Sequence, residues 1–212
     1  MRASLLEEKV LEIVQDPSYE GKVLPFLNRG ISWITGKLKL SYLDAEDTVL
    51  CTSTDNKVLL PDNYMHGLYY VGDGQKRIGD PNYYNEFPRF ARYHQDLSKV
   101  GRIRDVAVRG QRELYYVDRE DKELTIRFFE LPDLLSGGSS EPECLPIHLH
   151  EPLLVNFAAW KIYELIEDGI EDPKSNGKVY QNHFMSYLAD LSMYTVNTSE
   201  PLYVQDEATG IF

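Results

Sequence analysis

Residues 145–168, LPIHLHEPLLVNFAAWKIYELIED, limit what this chain can fold into more than any other stretch. Leu153, Leu154, Phe157, Ala158, Lys161, Ile162, Leu165 and Ile166 recur at helical spacing. One helical face therefore carries seven apolar side chains and a lysine stem. Pro152 suits a first helical turn, where its missing N–H removes no bond, and Asp168 followed by Gly169 is a stop signal. So wide an apolar stripe needs cover on two edges. One edge is expected to hold helices from the N-terminal part of the chain, and the other the last helix. Asn156, Glu164 and Glu167 are left facing outward.

The partners for that helix lie at both ends of the sequence. Leu5, Leu6, Val10, Ile13 and Val14 predict a short amphipathic helix, with Ser4 as N-cap and Glu7 in capping-box register. A second helix is predicted from about Glu20, with Val23, Leu24, Leu27, Ile31, Ile34 and Leu38 on its stripe and Pro25 near its first turn. Gly30 and Gly36 weaken it, but would let another helix approach closely. A last helix is predicted over 178–194, with Val179, Tyr180, Phe184, Tyr187, Leu188 and Leu191 inward. Residues 197–212, NTSEPLYVQDEATGIF, have no helical period.

Between these helices the period shifts from about four to two. TVLCT (48–52) and KVLL (57–60) around STDN predict a β-hairpin, and GLYYV (67–71) a strand stopped by Gly72, Asp73 and Gly74. RDVAVR (104–109), ELYYV (113–117) and ELTIRFF (123–129) predict a three-stranded antiparallel meander. In its last strand, Leu124, Ile126 and Phe128 share one face and Thr125, Arg127 and Phe129 the other. Residues 79–96 fit neither period. They are expected to form a long aromatic excursion and, as an ordered loop, a contact surface. SGGSSEP (136–142) is expected to be a flexible connector. The fold class that follows is α+β, a helical bundle built from N- and C-terminal helices with an inserted antiparallel β-sheet subdomain and an extended C-terminal tail. The parts are residues 1–40, 41–135, 136–196 and 197–212.

Little in the sequence calls for chemistry. A formal charge of -12 argues against a phosphate-gripping nucleic-acid binder. Cys51 and Cys144 suit buried thiols better than a disulfide, and cannot build a zinc site. Gly72-Asp73-Gly74 lacks the rest of a dinucleotide fingerprint, so no cofactor is expected. His148 and His150 have no third metal ligand at a characteristic spacing, and suit capping or core-edge packing. Asp44, Glu46 and Asp47 are expected to be solvated loop acids rather than a catalytic pair. No catalytic, cofactor-binding or metal residue is assigned. Arg102, Arg104, Arg109 and Arg112 form the one basic concentration, which Asp105 and Glu113 dilute; pairing with protein is favoured over contact with DNA. The first residues are too charged for a signal peptide, and no apolar stretch approaches the roughly 20 residues of a membrane span. A soluble product made in the cytoplasm is expected.

Four features in order carry a resemblance. They are VLPFLNRGISWI in the second helix, the hairpin ending in VLLPDNY, the run GRIRDVAVRGQRELYYV…ELTIRFFELPD, and LPIHLHEPLLVNFAAWKIYELIED. Together the chain resembles the head-to-tail adaptor proteins of tailed bacteriophages, also called head-completion or connector proteins, of the short-tailed-phage type. The resemblance implies a structural virion protein without enzymatic activity. It implies a homo-oligomeric ring, typically a dodecamer, docked under the portal protein at the head-tail junction and facing a tail or nozzle protein. Double-stranded DNA would pass through during genome ejection without specific binding. Leu202, Tyr203, Val204, Ile211 and Phe212 would be the portal-binding tail. Arg102, Arg104, Arg109, Arg112, Tyr83, Tyr84, Phe87 and Phe90 would serve the subunit or tail interface. The outward side of residues 145–168 would face a neighbouring subunit or the channel. The alternatives are a virion-associated peptidoglycan hydrolase, which would need two carboxylates across a cleft, or a non-viral oligomeric interaction module.

Overall fold

The computed structural model of the protein describes residues 1–77, 80–86, 106–110, 112–116, 121–167 and 175–195. Among them are, in chain order, helices α1 (Ala3–Val14) and α2 (Val23–Thr35) and strands β1 (Asp44–Cys51), β2 (Lys57–Leu59), β3 (Tyr64–Arg77), β4 (Asp80–Glu86), β5 (Ala107–Arg109), β6 (Glu113–Tyr115) and β7 (Lys122–Glu130). Helices α3 (His150–Ile166) and α4 (Ser175–Leu191) follow. The chain is thus mixed α+β, with helices from both ends and two antiparallel sheets between them.

α3 is the centre of the helical part and packs against α1, α2 and α4. Its middle is covered on nearly every side: Val155, Ala159 and Trp160 are buried along with Leu153, Leu154, Phe157, Ala158 and Ile162. Leu165 and Ile166, expected within the stripe, are 59% and 39% exposed. They occupy the last turn of α3. Gly30 explains how α2 comes so close, because a Cβ there would lie 3.0 Å from Phe157 Cδ1. On α4, Phe184 and Leu191 are buried and Tyr180 and Leu188 half-buried, whereas Val179 and Tyr187 are exposed. The apolar face of α4 is therefore narrower than its sequence suggests.

Helix ends depart from the expected caps. Ser4 does not cap α1, which starts at Ala3 with Arg2 at the cap position, two residues earlier than expected. Instead the Ala3 and Ser4 amides donate to the carbonyls of Ser140 (2.8 Å) and Gly138 (3.0 Å). The segment expected to be a flexible connector thus satisfies donors that a helix start leaves open. The Asn28 side-chain amide fixes the residue just before that segment, donating to the Leu135 carbonyl (2.9 Å) and accepting from the Leu135 N–H (2.8 Å). Glu167 does not face outward. Its buried carboxylate accepts from the amides of Asn176 (3.1 Å) and Gly177 (3.3 Å), at the positive end of α4.

The strands pair differently from the expected hairpin and meander. One sheet has the order β1-β7-β3-β4 and the other β2-β6-β5, all antiparallel. β1 therefore pairs with β7 and not with β2, and β7 leaves the expected meander for the other sheet. Alternating apolar residues fix which face of a strand is buried, but not which strand lies beside it. β3 runs through the predicted stop, and Gly74 (φ 68°) stays within the strand. Asp73 turns its side chain, 3% exposed, to an ion pair with Lys122 at 2.8 Å. Residues 80–86, expected to belong to an excursion, form β4 beside β3.

Two apolar cores result. One lies among the helices, and the other joins Val49, Cys51, Leu68, Val71, Leu114, Tyr116, Leu124, Ile126 and Phe128 between the sheets. β7 serves both, because Phe128 enters the sheet core while Phe129 on the opposite face enters the helical one.

Candidate interaction site

The residues expected at interfaces are placed unevenly. Leu202, Tyr203, Val204, Ile211, Phe212, Arg102, Arg104, Phe87 and Phe90 lie outside the described residues, as does Asp105, which dilutes the arginine cluster in the sequence. Tyr83 and Tyr84 fall on β4. Arg109 and Arg112 are half-buried and serve the small sheet from within. The Arg109 guanidinium lies 4.7 Å from the centre of the Tyr115 ring. Arg112 Nη2 donates to the Leu60 carbonyl (2.7 Å) and to Asp62 (2.6 Å), tying the end of β2 to the β5–β6 turn. Arg109 and Arg112 are thus engaged within the sheet rather than part of a free basic face.

The acids near the start of β1 belong to a strand rather than a loop, and most are engaged. Asp44 accepts from the Tyr69 hydroxyl, whose pKa is pushed up by burial first and then by that carboxylate. Glu46 pairs with Arg127 at 2.7 Å, and Asp47 accepts from the Thr48 amide at 2.7 Å. Cys51 and Cys144 are both buried and form no disulfide. Burial raises the Cys144 thiol to about 11, which leaves it protonated near neutrality. Among the described residues, no group of three His, Cys, Asp or Glu is placed to hold a metal ion, and no helix is long and apolar enough to cross a membrane.

Among the described residues, two surface grooves stand out. The first, about 410 Å³, lies at the start of α3 and is lined by Tyr42, Glu141, Glu143, Ile147, His148, His150 and Tyr194, among others. His150 is buried at its floor, as core-edge packing predicts. Its Nε2 donates to the Leu145 carbonyl (2.9 Å), and Nδ1 faces the Met1 amino nitrogen at 2.7 Å. Burial lowers the His150 pKa, so the ring favours its neutral form. His148 is exposed, with Nε2 3.4 Å from the Tyr194 hydroxyl, and the neighbouring Ile147 is 76% exposed. Apolar side chains with two carboxylates at the rim suit a partner surface that is itself apolar and cationic.

The second groove, about 310 Å³, runs between α2 and α3 and is lined by Phe26, Arg29, Trp33, Phe157, Lys161, Glu164 and Leu165. Its base rests on aromatic rings. Trp33 meets Phe184 edge-on at 5.3 Å, and Phe184 meets Phe157 at 5.2 Å. Lys161 sits with its ammonium 3.6 Å from the centre of the Trp160 ring. Glu164 accepts from both, from Lys161 Nζ at 2.8 Å and from Trp160 Nε1 at 2.7 Å, so it is held inside the helix's own surface. The sequence carried a signal for this arrangement, Trp160 and Glu164 lying four apart on one helix. The convergence of Phe26, Arg29 and Trp33 on it from α2 depends on how the helices pack.

The chain is α+β, with these two grooves on its described surface. Among known proteins, no family model matches the sequence, and neither does any curated protein.

Proposed function

We propose that the chain is a head-to-tail adaptor of a tailed bacteriophage, a structural protein that docks under the portal as a homo-oligomeric ring and joins the DNA-filled head to the tail. The observation that carries this reading is the architecture: α1 and α2 join α3 and α4 around one core, with the sheets inserted between them, in the order the resemblance implies. Such a build leaves the inserted sheets available for partners other than those of the helices. A net charge of -12 supports the same reading, since an acidic channel wall would let DNA phosphates slide past instead of holding them. Tyr203, Val204, Ile211 and Phe212 would engage the portal, and the tail or nozzle protein would meet the opposite side.

The test is the mass of the protein with and without assembled portal rings. Adaptor function predicts a defined complex with the portal; a protein that stays monomeric beside portal rings would sink the reading. Deleting residues 200–212 should abolish co-sedimentation with the portal while leaving the circular dichroism spectrum unchanged.

A further inference from the structure

We infer that the groove between α2 and α3 seats the chain's own C-terminal segment, residues 197–212, folded back on the same molecule. The groove supplies an apolar floor from Phe26, Trp33, Phe157 and Leu165, with two cations, Arg29 and Lys161, at its sides. Glu164, the one acid lining it among the described residues, is already bonded to Lys161 and Trp160. Arg29 is exposed and, among the described residues, makes no ion pair or hydrogen bond. On a chain with 34 acids against 22 bases, an unpaired arginine beside an apolar groove calls for an acidic, apolar occupant.

Residues 197–212 have that chemistry. They carry Glu200, Asp206 and Glu207, no lysine or arginine, and the apolar side chains Leu202, Tyr203, Val204, Ile211 and Phe212. The groove at the start of α3 is a poor match, because Glu141 and Glu143 line it and would repel the same acids.

The distance also fits. Thr195 is bridged to Leu40, and Tyr194 lies against His148 just before α3. Travelling from His148 to the level of Lys161 covers about 20 Å at the helical rise per residue. An extended chain crosses that distance in about six residues, which brings Leu202, Tyr203 and Val204 to the groove. Asp206 and Glu207 then follow within reach of Arg29. This inference does not depend on the adaptor reading. If that reading holds, the groove shelters the portal-binding side chains until the portal displaces them.

The test uses the full-length chain without portal, carrying Arg29→Lys to keep the charge and supply an amine. A zero-length carbodiimide reagent joins amines to carboxylates in contact, and the native Lys161–Glu164 pair at 2.8 Å is an internal reference. Mass spectrometry of the monomer is expected to find residue 29 joined to Asp206 or Glu207, at a yield severalfold above any link from the exposed Lys37. Links to those acids only between chains would assign the groove to a second copy and overturn the proposal, as would their absence. A second readout uses tryptophan emission, because the chain's two tryptophans, Trp33 and Trp160, lie in or beside the groove. Leu202→Ser with Val204→Ser should shift emission to longer wavelength; unchanged emission would also overturn it. Portal co-sedimentation, measured separately, reports only on the adaptor reading.

Discussion

The helical core and the sheet core are held together in different ways. Around α3 the stabilising contacts are mostly apolar and aromatic, with Trp33, Phe157, Trp160 and Phe184 forming one ring cluster. In the sheets, short strands of three residues depend on specific polar ties. Tyr116 is an example: its hydroxyl accepts from the Thr52 amide (2.8 Å) and donates to the Thr52 carbonyl (3.3 Å), while its own amide donates to Asn56 (3.0 Å). A packed aromatic cluster loses energy in proportion to the volume removed, whereas a polar tie is lost when one atom goes.

Substitutions can break this contrast or sharpen it. Phe157→Ala should cost about 3–5 kcal/mol, because the rings around it cannot close the cavity, and urea unfolding followed by far-ultraviolet circular dichroism measures the loss. Gly67→Ala attacks the junction of the two cores. Gly67 has φ 69°, and an added Cβ would lie 2.8 Å from Phe129 Cδ2. Left-handed strain and overpacking together should cost about 2–4 kcal/mol, with both cores losing hydrogen-exchange protection.

Tyr116→Phe should cost about 1–2 kcal/mol through the unpaired Thr52 amide. Its increase in hydrogen exchange should stay near Thr52 and Asn56; equal loosening of α3 would erase the distinction between the cores. The smallest effect concerns pH. Because burial lowers the His150 pKa in the folded chain, the unfolded chain takes up the proton first as pH falls below the ordinary value of 6.5. The contribution is complete above that value and lost progressively below it. His150→Gln should flatten the dependence of the unfolding midpoint between about pH 7 and pH 5.

The same contrast governs what the sequence could reveal. Helical positions follow from spacing along one segment, so Leu6, Val10, Leu27, Ile31, Leu153 and Phe157 were predictable as core residues, and they are buried. Strand partners depend on segments far apart, and nothing in TVLCT or KVLL shows that one joins β7 and the other β6. Alternation within β7 was legible nonetheless, since Leu124, Ile126 and Phe128 do share one face. The groove between α2 and α3 was not legible as a site. Its residues were visible as stripe and flank on separate helices, but Arg29 and Lys161 come together only through the packing of α2 on α3.

Phe128 and Phe129 carry one further consequence. Removing or adding a single residue within β7 would turn the strand over from that point, sending Phe129 toward the space shaped for Phe128 and Arg127 toward an interior. A loop can change length and leave both halves of the molecule intact. β7 cannot, because its residue count keeps the two halves in step.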